Sequence, residues 1–149
     1  MPSFTVNVNA AALEELERRL GEAVLADRIK ALSEEILLEI GERLKGLTKE
    51  KTPVDTGDLR GNWYLSGITW HGDTVELALY NNTEYAPFVE YGHAQEVGRY
   101  VPAIGKRLVV PLSPGFFMMT QSEAEMENII PALVKTRVEE YLREALGSV

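Results

Sequence analysis

The chain has 149 residues, 45% of them hydrophobic and 26% charged, with a formal net charge of −8 and no cysteine. That composition is ordinary for a globular protein and excludes a disordered or fibrous chain. The length predicts a single domain over residues 1–149 with enough chain to bury a core. Disulfides and thiolate metal sites are excluded, and no apolar run reaches membrane-spanning length, so a soluble protein made in the cytoplasm is expected. A charge of −8 also argues against wrapping nucleic acid, because neutralising phosphates needs a basic face.

In chain order, Phe4, Val6 and Val8 alternate with Thr5 and Asn7, the pattern of a short edge strand. Asn9 is a suitable N-cap for a helix carrying Leu13, Leu16 and Leu20, and Gly21 permits a break after it. From about Val24, the residues Leu25, Ile29, Leu32, Ile36, Ile40, Leu44 and Leu47 keep spacings of three and four, which makes one apolar stripe. About 25 residues at roughly 1.5 Å each predict a rod of nearly 40 Å. Its other face, with Glu34, Glu35, Glu39 and Glu42, reads as solvated.

The helix must stop at Thr52-Pro53-Val54-Asp55-Thr56-Gly57-Asp58-Leu59-Arg60. Pro53 lacks an N–H and pushes Thr52 out of the α region, while Asp55 and Gly57 suit a turn, Gly57 by accepting a positive φ. Two readings of this corner stand side by side. It is a helix stop and turn, or Val54-Asp55-Thr56-Gly57 is the signature of an aspartic peptidase, in which paired carboxylates share a proton and activate water. The chain has no second Asp-Thr/Ser-Gly, so a peptidase would have to be a homodimer using Asp55.

Residues 62 to 71 and 74 to 81 then read as a hairpin turning through His71-Gly72-Asp73. Val75, Leu77 and Leu79 face one way, towards the long helix, and Glu76, Ala78 and Tyr80 the other. Tyr85 to His93 suggests one helical turn with Tyr85 and Val89 inward and Gly92 closing it. Between Gly92 and Gly115, the residues Arg99, Lys106 and Arg107 against Glu96 reverse the local charge to +2 (three minus one). Tyr100-Val101 and Leu108-Val109-Val110 are candidate arms of a hairpin with Pro102 and Gly105 near its tip. This stretch, about 92–115, is expected to be a mobile loop, with Arg99, Tyr100, Lys106 and Arg107 as candidate partner contacts.

Phe116 to Met119 precede a last helix that Thr120 or Ser122 could cap. Its stripe is Met126, Ile130, Val134, Val138, Tyr141 and Ala145. Pro131 should kink it or split it in two. The expected class is α+β: an antiparallel sheet packed by a long N-terminal helix and a C-terminal helix, with a long flexible loop in the middle.

No catalytic, metal or cofactor site emerges. His71 and His93 stand at no ligand spacing, Ser66, His71 and Asp73 lack a nucleophile elbow, and no phosphate-binding glycine loop precedes a helix. The residues therefore describe a protein that works through surfaces.

The chain resembles the tail completion, or head–tail joining, proteins of long-tailed double-stranded DNA bacteriophages, prophage members included. Pro53, Asp55, Thr56, Gly57, Leu59 and Arg60 match that family's Pro-x-Asp-Thr-Gly-x-Leu-Arg corner. Tyr85-Ala86 with Val89, Glu90, Gly92 and His93 match its Tyr-Ala-x-x-Val-Glu-x-Gly-His motif. A glycine-punctuated stretch and the Phe117-Met118 pair follow in order. The resemblance implies a non-enzymatic virion protein, without cofactors, located in the neck or tail. It implies self-assembly into a ring, commonly six-fold, between the head connector and the tail tube or its terminator. DNA would pass through the lumen without specific binding. A tail terminator capping the tube is the nearest alternative within the virion, and a homodimeric peptidase the alternative of another class.

Overall fold

The computed structural model describes residues 10–147; the alternating segment Phe4–Val8 and its Asn9 cap lie outside them. Helix α1 (Ala10–Leu20) and helix α2 (Glu22–Lys51) part at Gly21, as the sequence predicts. In α1, Leu16 is fully buried and Leu13 and Leu20 half-buried. At 30 residues, α2 is about 45 Å long, against a radius of gyration of about 15 Å for a compact chain of this size. Such a rod cannot be covered along its whole length. Its apolar stripe is accordingly half-buried, with Ile29 42% exposed and only Leu25, Gly41 and Thr48 fully enclosed.

Helix α5 (Met118–Leu146) is the main partner of α2. Lys51 Nζ meets Glu125 at 2.7 Å and Arg137 Nε meets Glu39 at 2.7 Å, so the two helices run antiparallel. Met118, Ser122, Met126, Ile130 and Leu133 are its buried residues. Pro131 does not split it: the helix is continuous, and its buried neighbours Ile130 and Leu133 hold the turn despite the missing N–H. Glu39 also accepts from Arg43 (2.7 Å), and Arg137 reaches Glu140 (2.9 Å). The Arg137 hydrogen bond, joined by that of Arg43, holds the Glu39 carboxyl below its usual range.

Between the helices the chain makes four antiparallel two-stranded ladders rather than one sheet. The expected hairpin is real but interrupted. Strands β1 (Trp63–Leu65) and β4 (Leu79–Asn81) pair, as do β2 (Thr69–His71) and β3 (Thr74–Glu76), joined through Gly72-Asp73. Between the ladders three residues, Ser66 to Ile68, oppose two, Leu77 and Ala78, which is a bulge. Ser66 bridges it: its N–H donates to Ala78 O (2.7 Å) and its Oγ accepts from Ala78 N (2.8 Å). The hairpin lies on α2. Trp70 Nε1 donates to Glu34 (2.6 Å), with Lys30 Nζ 5.1 Å from the ring centre, while Leu65 and Leu77 close on Gly41.

After the short helix α3 (Asp58–Gly61) and helix α4 (Ala86–Tyr91), β5 (Gly92–Ala94) pairs with β8 (Leu112–Pro114) and β6 (Tyr100–Val101) with β7 (Lys106–Arg107). Bonds from Gln95 N to Pro111 O and from Gly98 N to Leu108 O, both 2.8 Å, join these ladders into one arm. The stretch read as a loop is thus a paired ribbon. The second arm of its tip is Lys106–Arg107, not Leu108–Val110, because the turn Pro102–Gly105 sets the register. The apolar cluster is compact: Leu59, Trp63, Ala86 and Met118, with Leu79, Val89 and Met119 against it. No helix among the described residues is long and apolar enough to cross a membrane.

Two glycines of α2 should respond oppositely to substitution. A Cβ at Gly41 would meet Leu77 and Leu65, so Gly41→Val should cost about 1–3 kcal/mol by overpacking. Gly46 has open space around it, so Gly46→Ala should gain up to about 1 kcal/mol from helix propensity. Circular dichroism melts check both. Acid should also loosen the α2–α5 pairing. A carboxyl whose folded pKa is depressed stabilises the fold above its unfolded pKa, and that contribution disappears as pH falls through the folded value. The Tm difference between the parent and Glu39→Gln should therefore be largest near neutrality and shrink on acidification below the ordinary Glu value of 4.5.

Candidate functional site

Thr52 ends α2 in an extended conformation (ψ 124°), as Pro53 requires. Although 1% exposed, it has every polar group matched. Its hydroxyl donates to Thr48 O (2.6 Å) and accepts from Trp63 Nε1 (2.9 Å), its N–H donates to Lys49 O (3.2 Å), and its carbonyl accepts from Arg60 Nη2 (3.0 Å). Arg60 thus caps the C-terminus of α2, where a cation is favoured by the helix dipole. Gly57 takes the left-handed conformation at φ 90°, and Asp58 N donates to Thr56 Oγ1 (3.3 Å). Leu59 goes into the core, and Asn81 Nδ2 donates to its carbonyl (2.8 Å). Asp55 is exposed on the turn.

The second motif centres on Glu90, which is 6% exposed. Its carboxylate accepts from Met119 N (3.0 Å), Thr120 N (2.9 Å) and Thr120 Oγ1 (2.7 Å). These are the free amides at the start of α5, so a side chain from α4 caps a helix 30 residues away. The caps expected from the sequence do not act. Thr120 lies inside the first turn and points to Glu90, and Ser122 donates to Met118 O (2.6 Å). Phe117, at φ 49°, has no side-chain acceptor to offer.

Backbone bonds from Phe116 N to Val89 O (2.8 Å) and from Phe117 N to Glu90 O (3.0 Å) tie the same two segments. The approach is close: a Cβ at Gly92 would strike Ser113 O, and one at Gly115 would strike Glu90 O. Gly92 also needs φ 79° to turn from α4 into the arm. Val89 is half-buried against the core as predicted. Tyr85 is not inward but 44% exposed, because Ala86 takes the buried place beside Trp63. His93, on β5, has its ring edge-on to Phe88 at 5.8 Å.

The two motifs meet in space. Pro53 to Leu59 from the corner, Val89 from α4 and Tyr85 just before it line one open cleft of about 500 Å³. The arm is separate from it in sequence. There Arg107 donates to Gly98 O (2.7 Å) and stands 6.0 Å from the Tyr100 ring, and Arg99 and Lys106 are exposed. Among the described residues no cluster of His, Asp and Glu could hold a metal ion.

The family model of HK97-gp10-like bacteriophage tail components matches residues 14–92. The chain belongs to that family. The match runs from α1 to the first residue of β5, so it contains the corner and all of α4, while the arm and α5 lie beyond it. No curated protein and no solved structure matches the chain. For this tail component the shared stretch is mainly architecture: Thr52, Gly57, Leu59, Arg60 and Glu90 each hold a helix end, a turn or the core.

Sequence reasoning named Glu90 only within a motif and missed the parts played by Thr52, Trp63 and Gly41. A glycine in the middle of a strong helix is the one local signal that could have exposed the hairpin contact. Removing the Glu90 cap should be costly. Glu90→Ala leaves two part-buried amides without their cap, a loss of about 0.5–2 kcal/mol, while Glu90→Gln keeps an acceptor oxygen and should lose less. Thermal melts rank the variants, and faster hydrogen exchange at Met119 and Thr120 would locate the loss.

Proposed function

We propose that this tail component is a non-enzymatic joining protein of the phage neck, assembling as a ring between the head connector and the tail tube. The observation that carries this reading is the apolar surface left bare on α4 and the arm. Phe88 is 56% exposed, Tyr91 69%, Ile104 60%, Val109 81%, Leu112 59% and Phe116 52%. Large apolar side chains exposed in such numbers mark interaction surfaces, and beside α4 Tyr91 and Phe117 pack edge to face (6.4 Å). Family membership supplies the virion setting, and the resemblance of both motifs to joining proteins supplies the neck and the six-fold expectation. A chain charge of −8 suits a channel through which DNA slides without being held. The corner supports architecture over peptidase chemistry, since Thr52, Gly57 and Arg60 are committed to ending α2 and turning the chain.

Light scattering after size exclusion, with negative-stain images of the large species, tests the reading. Ring particles with a central hole are expected, either from the protein alone or on purified connectors or tails. A variant in which residues 96–110 are replaced by a two-residue turn keeps the Gln95–Pro111 pair and should fold, by circular dichroism, yet form no rings. A parent that stays monomeric and binds neither connectors nor tails overturns the proposal. An arm-less variant that still forms rings leaves the joining reading in place and removes the arm from its contact.

A further inference from the structure

The arm tip and the cleft carry complementary chemistry on different surfaces of one subunit. The cleft is apolar inside, from Val54, Tyr85 and Val89, and acidic at its edge, from Asp55 and Asp58, with exposed Glu84 next to Tyr85 in sequence. The arm tip is apolar and basic: Tyr100 and Ile104 are 52% and 60% exposed, beside Arg99, Lys106 and Arg107. Among the described residues none of Asp55, Asp58, Glu84, Arg99 or Lys106 takes part in an ion pair. Unpaired acids therefore face outward at one site, and unpaired bases at the other.

We propose that the cleft between the Pro53–Leu59 corner and α4 receives the β6–β7 tip of a second copy of this chain. A subunit's own tip does not fill it: the cleft is lined by the corner, Tyr85 and Val89 alone, and the tip is set off from Gly92 by the β5–β8 ladder and a turn in which Arg99 N bonds to Glu96 O (3.2 Å). The contact is heterologous: cleft and tip are different surfaces, so each subunit offers one and takes the other. Repetition of such a contact closes into a ring when the rotation per subunit allows it. This inference rests on the ring reading above and gives that ring its interface.

The lack of native cysteine makes the test direct. Val54→Cys, in the cleft, and Ile104→Cys, at the tip, are mixed at high concentration with a short bismaleimide. Gly46→Cys, on an exposed and open part of α2, replaces Val54→Cys as the control. The Val54–Ile104 pair should cross-link about tenfold more than the Gly46–Ile104 pair, reflecting a raised effective concentration, and less at high salt. Adding Asp55→Lys to the cleft partner should lower the yield, and Lys106→Glu on the tip partner should restore it. Equal yields for the two pairs, no rescue by charge exchange, or a tip that cross-links only to a connector or tail protein would overturn the interface. If rings are still seen in those cases, the joining reading stands with a different contact; if rings are absent too, both fall.

Discussion

The Glu90 carboxylate, buried and bonded to the first free amides of α5, is the contact on which the arrangement of the C-terminal half depends. Helix α5 begins after a left-handed Phe117 that offers no cap of its own, so without Glu90 its first amides would lose their side-chain partner. The opposite end is treated in kind, with Arg19 Nη1 donating to Leu146 O at 3.1 Å. An anion at the N-terminus and a cation at the C-terminus both oppose the helix dipole. Arg19 is itself held by Glu15, whose carboxyl the Arg18 and Arg19 hydrogen bonds lower to about 2. Side chains from α1 and α4 thereby fix both the position and the direction of α5 along α2.

That anchoring explains why the protein can carry a long arm on a small core. Leu59, Trp63, Ala86 and Met118 come from the corner, the hairpin, α4 and α5, and Thr52, Glu90 and the two close-packed glycines fasten the same junction. The arm leaves and returns through this junction, between Gly92 and Gly115, where backbone lies directly against backbone. Bending there is opposed by direct backbone contact, which makes the arm a lever whose direction is set by the core.

How much of this the sequence discloses depends on the range of each interaction. Local signals were legible: the period of α2, the stop at Pro53, the positive φ of Gly57 and the alternation of Val75, Leu77 and Leu79 all follow from neighbouring residues. What stayed hidden depends on residues far apart in the chain. Glu90 and Thr120 are bonded across 30 positions, and Thr52 meets Trp63 only once the corner has formed. The stripe of α2 predicts one apolar face to be covered, yet a rod that long outruns the chain available to cover it. Pro131 costs the helix a local hydrogen bond, yet the helix runs on through it with Ile130 and Leu133 buried beside it. The 92–115 stretch has little apolar periodicity because both faces of a two-stranded arm are open, so no buried face imposes alternation on it.

The same openness bears on when such an arm would act. A two-stranded ribbon by itself is marginally stable in water, and this one exposes Val97, Tyr100, Ile104, Val109 and Val110 rather than burying them. Its ladders are therefore best stabilised when a neighbouring surface covers those side chains. On the ring reading, the cleft beside α4 provides that cover only where subunits are already brought together, by a connector or a tail end. A pair of free subunits gives up the free motion of a whole subunit for one such contact. On a template that motion is already lost, and the contact that closes a ring joins subunits already held together. On that reading assembly is favoured at the template and disfavoured in solution.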